Sequence, residues 1–148
     1  MTRATAPTVA EIQQILRSGV PLAGAWGVEV LRAEGGGALV RLPFREDLLR
    51  PGDTVSGPAL MGLADLAMWA ALLSLTGGRD ESVTSTMTVN FLRPLGARPV
   101  LAKARVVKRG RRMVSGEILM RPEGGSVGAG EVAVHVTTTW TVIAPAGG

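Results

Sequence analysis

Few residues of this chain could do chemistry, and the most demanding of them is Asp65. It stands alone in the run Ser56-Gly57-Pro58-Ala59-Leu60-Met61-Gly62-Leu63-Ala64-Asp65 and the apolar stretch that continues to Thr76. An unpaired carboxylate among apolar side chains is costly, and no Lys or Arg lies within a helical turn of it in sequence. Two uses fit: a general base or nucleophile, or a structural carboxylate that caps another element. Gly62, one turn earlier on the same helical face, is expected to leave open space beside the carboxylate for a substrate or water. At the start of the run, Pro58 suits the first helical position. This leaves the Gly57 N–H free at the positive end of the helix, where it could polarise a carbonyl oxygen. The plain alternative is a tight turn into a helix. Eight more candidates form a second group: Arg93, Arg98, Lys103, Arg105, Lys108, Arg109, Arg111 and Arg112 fall within twenty residues that contain no acid. Such a local positive field suits a phosphorylated small molecule or a nucleic acid, and otherwise reads as a solvated strand face.

The residue types that are scarce narrow the chemistry further. The chain has no Cys, which removes disulfide scaffolds, thiolate-ligated zinc, iron–sulfur clusters and cysteine nucleophiles. One histidine, His135, leaves almost no metal chemistry, and its expected place is the surface of a sheet. With no Tyr, two Phe and three Trp, platforms for stacking bases are few.

These candidates must be held by a chain of 148 residues, 46% hydrophobic and net +4, which has the size and apolarity of one compact domain. Pro7 to Arg17 has apolar residues at helical spacing and stops at Gly19. Trp26–Glu34 and Ala38–Phe44 read as a hairpin about Gly35-Gly36-Gly37, and Arg45 to Val55 as a loop. Pro58 to Thr76 is a helix apolar on all sides. Its central Asp65 and its flanks without Lys/Arg clusters or aromatics argue against a membrane span, and the N-terminus has no signal-peptide pattern. Four strands follow at Val83–Leu92, Val100–Lys108, Arg111–Arg121 and Glu131–Ile143. The last alternates Val132, Val134, Val136, Trp140 and Val142 with more polar residues. The order implies an α+β fold, a curved antiparallel sheet wrapped around one long central helix. One six-stranded sheet is not expected to cover an all-apolar helix, so a second copy should supply the rest as an obligate dimer.

With these motifs in view, the chain resembles the hot-dog-fold acyl-CoA thioesterases of the phenylacetate-degradation type, from about Gly24 to Ile143. In that family an Asn, a Gly, a His-Gly-Gly and then a Leu-Ala-Asp nine residues after the His are spaced as Arg50-Pro51-Gly52, Ser56-Gly57-Pro58 and Leu63-Ala64-Asp65 are here. Arg50 thus stands for the Asn and Ser56 for the His. The resemblance implies that Asp65 activates water or attacks the thioester, while the partner's Gly57 N–H holds its oxygen. Asn90-Phe91-Leu92-Arg93-Pro94 matches the strand after the family's helix. Counting back from Pro94 places Thr84, or with a one-residue slip Ser85, where relatives carry the hydroxyl that orients water. Arg93, Arg109, Arg111 and Arg112 would meet the phosphates of coenzyme A, and Met61, Met68 and Trp69 would line the acyl pocket or simply pack the core.

The sequence therefore predicts one hot-dog domain over 1–148, with an N-terminal helical segment 1–23, a core 24–143 and a tail 144–148. It is expected to be a cytoplasmic acyl-CoA thioesterase that works as a homodimer, pairing into a homotetramer. It should need no metal and no cofactor, coenzyme A being part of the substrate. Two rival readings are a non-catalytic acyl-CoA-binding protein and a nucleic-acid binder using the Arg93–Arg112 field. A hydratase would pair its Asp with a His, and none lies near Asp65 in sequence.

Overall fold

A computed structural model describes residues 5–124 and 131–143. The elements, in chain order, are α1 (Val9–Gly19), α2 (Pro21–Ala25), β1 (Glu29–Glu34), β2 (Gly37–Leu42), β3 (Leu49–Arg50), β4 (Thr54–Val55), α3 (Gly57–Leu73), β5 (Ser82–Phe91), β6 (Val100–Arg109), β7 (Met113–Pro122) and β8 (Val134–Val142). Six strands form one antiparallel sheet in the order β1-β2-β6-β7-β8-β5, and β3 pairs with β4 apart from it. The α+β architecture expected from the sequence is present. The whole predicted tail, 144–148, the segment 125–130 and the first four residues of the predicted N-terminal segment lie outside the described residues.

Helix α3 packs on one face of the sheet, chiefly over β2 and β6, where alanines let it approach. The row Ala38, Ala104, Ile118, Val136 and Val89 runs across five strands, and the next row carries Ala102 between Val40 and Met120. Opposite them α3 presents Ala59, Leu63, Ala64, Ala67, Met68, Ala70 and Ala71, all buried. Short side chains on both sides let helix and sheet approach closely, and close packing of this kind holds the core.

Helix α3 is apolar all round, yet its cover is wider than the sequence suggested. The sheet and α1 together bury all but one stripe, Pro58, Met61, Gly62, Asp65 and Trp69, which follows helical spacing. The helix stops at Leu73, three residues before the predicted end. There the Ser74 hydroxyl donates to the Ala71 carbonyl and accepts from the Gly36 N–H, while Gly77 and Gly78 take positive φ and the Gly78 N–H returns to the Leu73 carbonyl.

The two edges of the sheet are treated differently. At β1, α1 covers the edge. Its Thr8 cap accepts from the Glu11 N–H, its Ile12 and Leu16 are buried, and its Gln13 and Arg17 bond the Val30 N–H and the Val28 carbonyl. At β5 no strand pairs on the outer side among the described residues, and Val83, Phe91 and Leu92 are exposed there. An open ten-residue edge with exposed apolar groups is a surface that natural proteins usually pair or block.

Two local differences from the sequence reading matter for the site. Residues 21–25 form the short helix α2 and the first strand starts at Glu29, not at Trp26, since Pro21 starts a helical turn and Gly27, at φ 70°, ends it. The predicted loop 45–55 holds a 3-10 turn and the β3–β4 hairpin, closed by Gly52 at φ 93° and Asp53 at φ 55°. Its end is tied down by the Val55 N–H to the Leu95 carbonyl and the Ser56 N–H to the Leu48 carbonyl, so the start of α3 is held rigidly.

Candidate active site

Asp65 projects from the one open stripe of α3 and meets Thr84, whose hydroxyl donates to its Oδ1 at 2.5 Å. A β-bulge makes this contact. Ser82 and Thr84 pair with Val142 and Trp140, whereas past the bulge Thr86 pairs with Thr139 and Met87 with Thr138. Ser85 is therefore the extra residue. Before it the inward side chains are even-numbered, Ser82 and Thr84, and after it odd-numbered, Met87, Val89 and Phe91. Ser85 instead bonds the Thr141 hydroxyl. Of the two hydroxyl candidates, the structure brings Thr84 to Asp65 and sends Ser85 elsewhere.

Burial pushes the Asp65 carboxyl above the ordinary carboxylate range, and the Thr84 hydrogen bond pulls it part of the way back. A carboxylate of raised basicity is a better proton acceptor at neutral pH. Thr84→Val removes the stabilising hydrogen bond, so the acid limb of a pH–rate profile should move to higher pH while alkaline rates largely recover. Measuring kcat/KM across the acid and neutral range checks this, and an unmoved limb would show that Thr84 does not act through Asp65.

Beside Asp65 and Thr84 lies a cavity of about 520 Å³, also lined by Trp69, Trp140, Asp80, Ser82 and the end of α1 at Ile15, Ser18, Gly19 and Val20. Of the three residues offered as acyl-pocket lining or core, Trp69 borders this cavity. Asp80, Ser82, Trp140 and the α1 residues were missed as cavity residues. Trp140 read as an inward position of a strand, and no local pattern shows that α1 ends against Trp69. A Cβ at Gly19 would sit 2.7 Å from the Trp69 ring, so this contact requires glycine.

Two expectations need correction. Gly62 leaves no open space beside Asp65, because the Trp26 ring occupies it and a Cβ there would lie 2.8 Å from that ring. Its role is to admit an indole against the helix. Met68 does not line the cavity: it is fully buried and packs on the sheet at Gly116, where a Cβ would collide with it. Met61 lies on the open stripe and is 41% exposed.

The start of α3 forms a second locus. The Ser56 hydroxyl caps the helix, accepting from the Ala59 N–H at 3.4 Å. The Gly57 N–H has no hydrogen-bond acceptor among the described residues. Gly57 borders a cavity of about 360 Å³ with Arg50, Phe91 and Arg93. Arg50 points to the carbonyl of Pro51, at 3.2 Å.

The basic run does not stay acid-free in space. Arg93 pairs with Glu131, Arg105 with Glu117 and Arg109 with Glu81, and Arg98 bonds the Gly124 carbonyl. Arg93 stands at the Gly57 end of α3, while Arg109 and Arg111 line a separate cavity of about 350 Å³ at its other end, with Thr76 and Glu81. The four arginines expected to share one ligand thus divide between two places, because antiparallel β5 and β6 carry them to opposite ends of the helix. Arg111 and Arg112 are exposed and make no ion pair among the described residues. His135 lies on the outer face of the sheet against Glu117, at 2.9 Å, as expected of a surface residue. No group of three metal-ligating side chains occurs among the described residues, and no helix there is long and apolar enough to cross a membrane.

An acid-bearing helix on a curved antiparallel sheet, with a helix-start N–H at one end, is the arrangement of hot-dog proteins. The chain matches the thioesterase superfamily over residues 52–129, more than half its length, and belongs to that family. It is 29% identical to a phenylacetic acid degradation protein PaaI from Thermus thermophilus, with 83% of this chain and 99% of that one covered and a TM-score of 0.72. The fold is also that of the Escherichia coli PaaI protein, at TM-score 0.76 and 20% identity over 93% of this chain and 96% of that one. Zebrafish thioesterase superfamily member 2 matches at TM-score 0.78 and 20% identity, over 93% and 99%.

Proposed function

We propose that the protein hydrolyses acyl-CoA thioesters at a site shared between two subunits. The observation that carries this reading is Asp65, a half-buried carboxylate of raised basicity, held by Thr84 and opening onto a cavity large enough for an acyl group. As a base, Asp65 takes a proton from water while the oxygen attacks the thioester carbon; the carbon–sulfur bond breaks, and Asp65 returns the proton to the leaving thiolate. As a nucleophile, it displaces the coenzyme A thiolate, the carbon–sulfur bond breaking as a mixed anhydride forms; water then cleaves the anhydride to the free acid and the Asp65 carboxylate, and its released proton goes to the thiolate. In either course negative charge develops on the carbonyl oxygen, and the Gly57 N–H of the partner subunit, at the positive end of α3, is the donor we assign to it. The open β5 edge is where the second copy would pair, given that α1 blocks the other edge.

Release of free thiol from a panel of acyl-CoA esters tests the proposal directly. A second reading, an acyl-CoA binder without turnover, draws on Ser56 and Arg50, which are engaged with their own backbone where the resemblance implies His and Asn. Tight binding with no thiol release would establish it.

The nucleotide end of coenzyme A is assigned to Arg111 and Arg112, two exposed cations that make no ion pair among the described residues, with Arg109 beside them. Changing Arg111 and Arg112 together to Ala should weaken binding of coenzyme A esters by about 1.5–3 kcal/mol per lost charged hydrogen bond. Short thioesters without the nucleotide should be hydrolysed as before. Equal losses on both substrates would show that these arginines hold the fold.

A further inference from the structure

The cavity beside Asp65 differs in charge from three others among the described residues. The chain is net +4, and three other cavities carry arginine or lysine: Arg50 and Arg93 beside Gly57, Arg109 and Arg111 at the far end of α3, and Arg32, Lys103 and Arg105 on the outer face of the sheet. The eleven residues that one chain contributes to the Asp65 cavity include two carboxylates, Asp65 and Asp80, and no Lys, Arg or His. The C-terminal end of α1 adds to the negative field, because Ser18 and Gly19 bring the last turn of an eleven-residue helix to the cavity wall. The two nearest arginines in sequence are turned away: Arg17 bonds the Val28 carbonyl and Arg79 pairs with Glu81 at 2.9 Å. Asp80 makes no ion pair among the described residues.

Two of the remaining lining residues are aromatic, beside aliphatic Ile15, Val20 and Val83 and the hydroxyls of Ser18, Ser82 and Thr84. Trp69 and Trp140 both line the cavity, and both indole N–H groups are occluded and unpartnered, so the rings present their carbon surfaces. Aromatic surface flanked by carboxylates attracts weakly hydrated cations and repels anions.

We propose that this cavity selects acyl groups whose distal end is cationic, a quaternary ammonium being the form that aromatic walls hold best. The inference rests on the thioesterase reading and names the substrate class of that same site: Asp65 stays with the reacting carbonyl, and Asp80 at the rim, with Trp69 and Trp140, takes the charged end. A dicarboxylic acyl group is rejected by the same field.

The test compares two coenzyme A thioesters of equal shape, γ-trimethylammonio-butanoyl and its isostere with a quaternary carbon in place of the nitrogen, together with the carboxylate-ended succinyl ester. The cationic ester should have a kcat/KM about tenfold above the neutral isostere, and succinyl should be the poorest. Asp80→Asn should cut the cation-to-neutral ratio by about fivefold, and Asp80→Glu should keep it. Asp80 is exposed, so neither variant threatens the fold. Equal rates for the matched pair, or a ratio untouched by Asp80→Asn, would overturn the assignment. Binding followed by quenching of tryptophan fluorescence separates the two readings. A preference for the cation in binding without any turnover would overturn the hydrolase reading and support the charge assignment, whereas turnover with no preference in rate or binding would overturn the charge assignment alone.

Discussion

Asp65→Asn is expected to lower turnover on acyl-CoA esters by roughly 10²–10⁴ with little change in substrate affinity. Asn keeps the shape and can still meet the Thr84 hydroxyl, but it neither accepts a proton from water nor attacks a thioester. Stability should not fall with it. The folded protein holds the Asp65 carboxyl above its ordinary value, so folding favours the protonated form. That contribution is complete in acid and is lost as pH rises through the raised value, leaving a partly buried charge at neutral pH. The variant is therefore expected to melt no lower than the parent at neutral pH, with the difference narrowing in acid. Unchanged turnover in a folded variant would remove Asp65 from the mechanism.

A larger change of state should come from mixing two inactive chains. Gly57 and Asp65 are separated by eight residues of one helix, about 12 Å along its axis, too far for both to reach one thioester carbonyl. If the site is shared, a chain with Asp65→Asn and a chain with Gly57→Val should each be nearly inactive alone. In a heterodimer, Asp65 of one chain would face the intact Gly57 N–H of the other. Random pairing of equal amounts makes half the dimers mixed, each with one intact site, so activity should return to about a quarter of the parent's. A Cβ at Gly57 would lie 3.6 Å from Phe91, an ordinary contact, so the Val chain should fold. No recovery after proven subunit exchange would mean that each chain carries its whole site.

The fold was legible from the sequence where local pattern and tertiary demand coincide. An apolar helix with one acid and four alternating strands admits few arrangements, and the element order excludes a parallel sheet. Asp65 stood out because its cost in an apolar helix is visible without coordinates. Space was harder to read. Gly62 looks like a gap in a list of residues, yet the indole that fills it comes from Trp26, thirty-six positions earlier in the chain. Met68 and Trp69 are neighbours in one helix, and only the direction of the helical face sends one into the sheet and the other to the cavity. The basic run is acid-free only along the chain, since Glu131, Glu117 and Glu81 reach Arg93, Arg105 and Arg109 once the chain is folded.

The bulge at Ser85 makes the site tolerant of slips in register. If β5 kept all its residues and ran without the bulge, Ser85 would take the place of Thr84 opposite Trp140. If Ser85 were deleted, Thr84 would stay there, on the face of Met87, Val89 and Phe91. Each of these strands turns a hydroxyl toward Asp65. A lineage carrying this fold can therefore lose one codon at this point of β5 and keep both the pairing with β8 and the partner of the carboxylate.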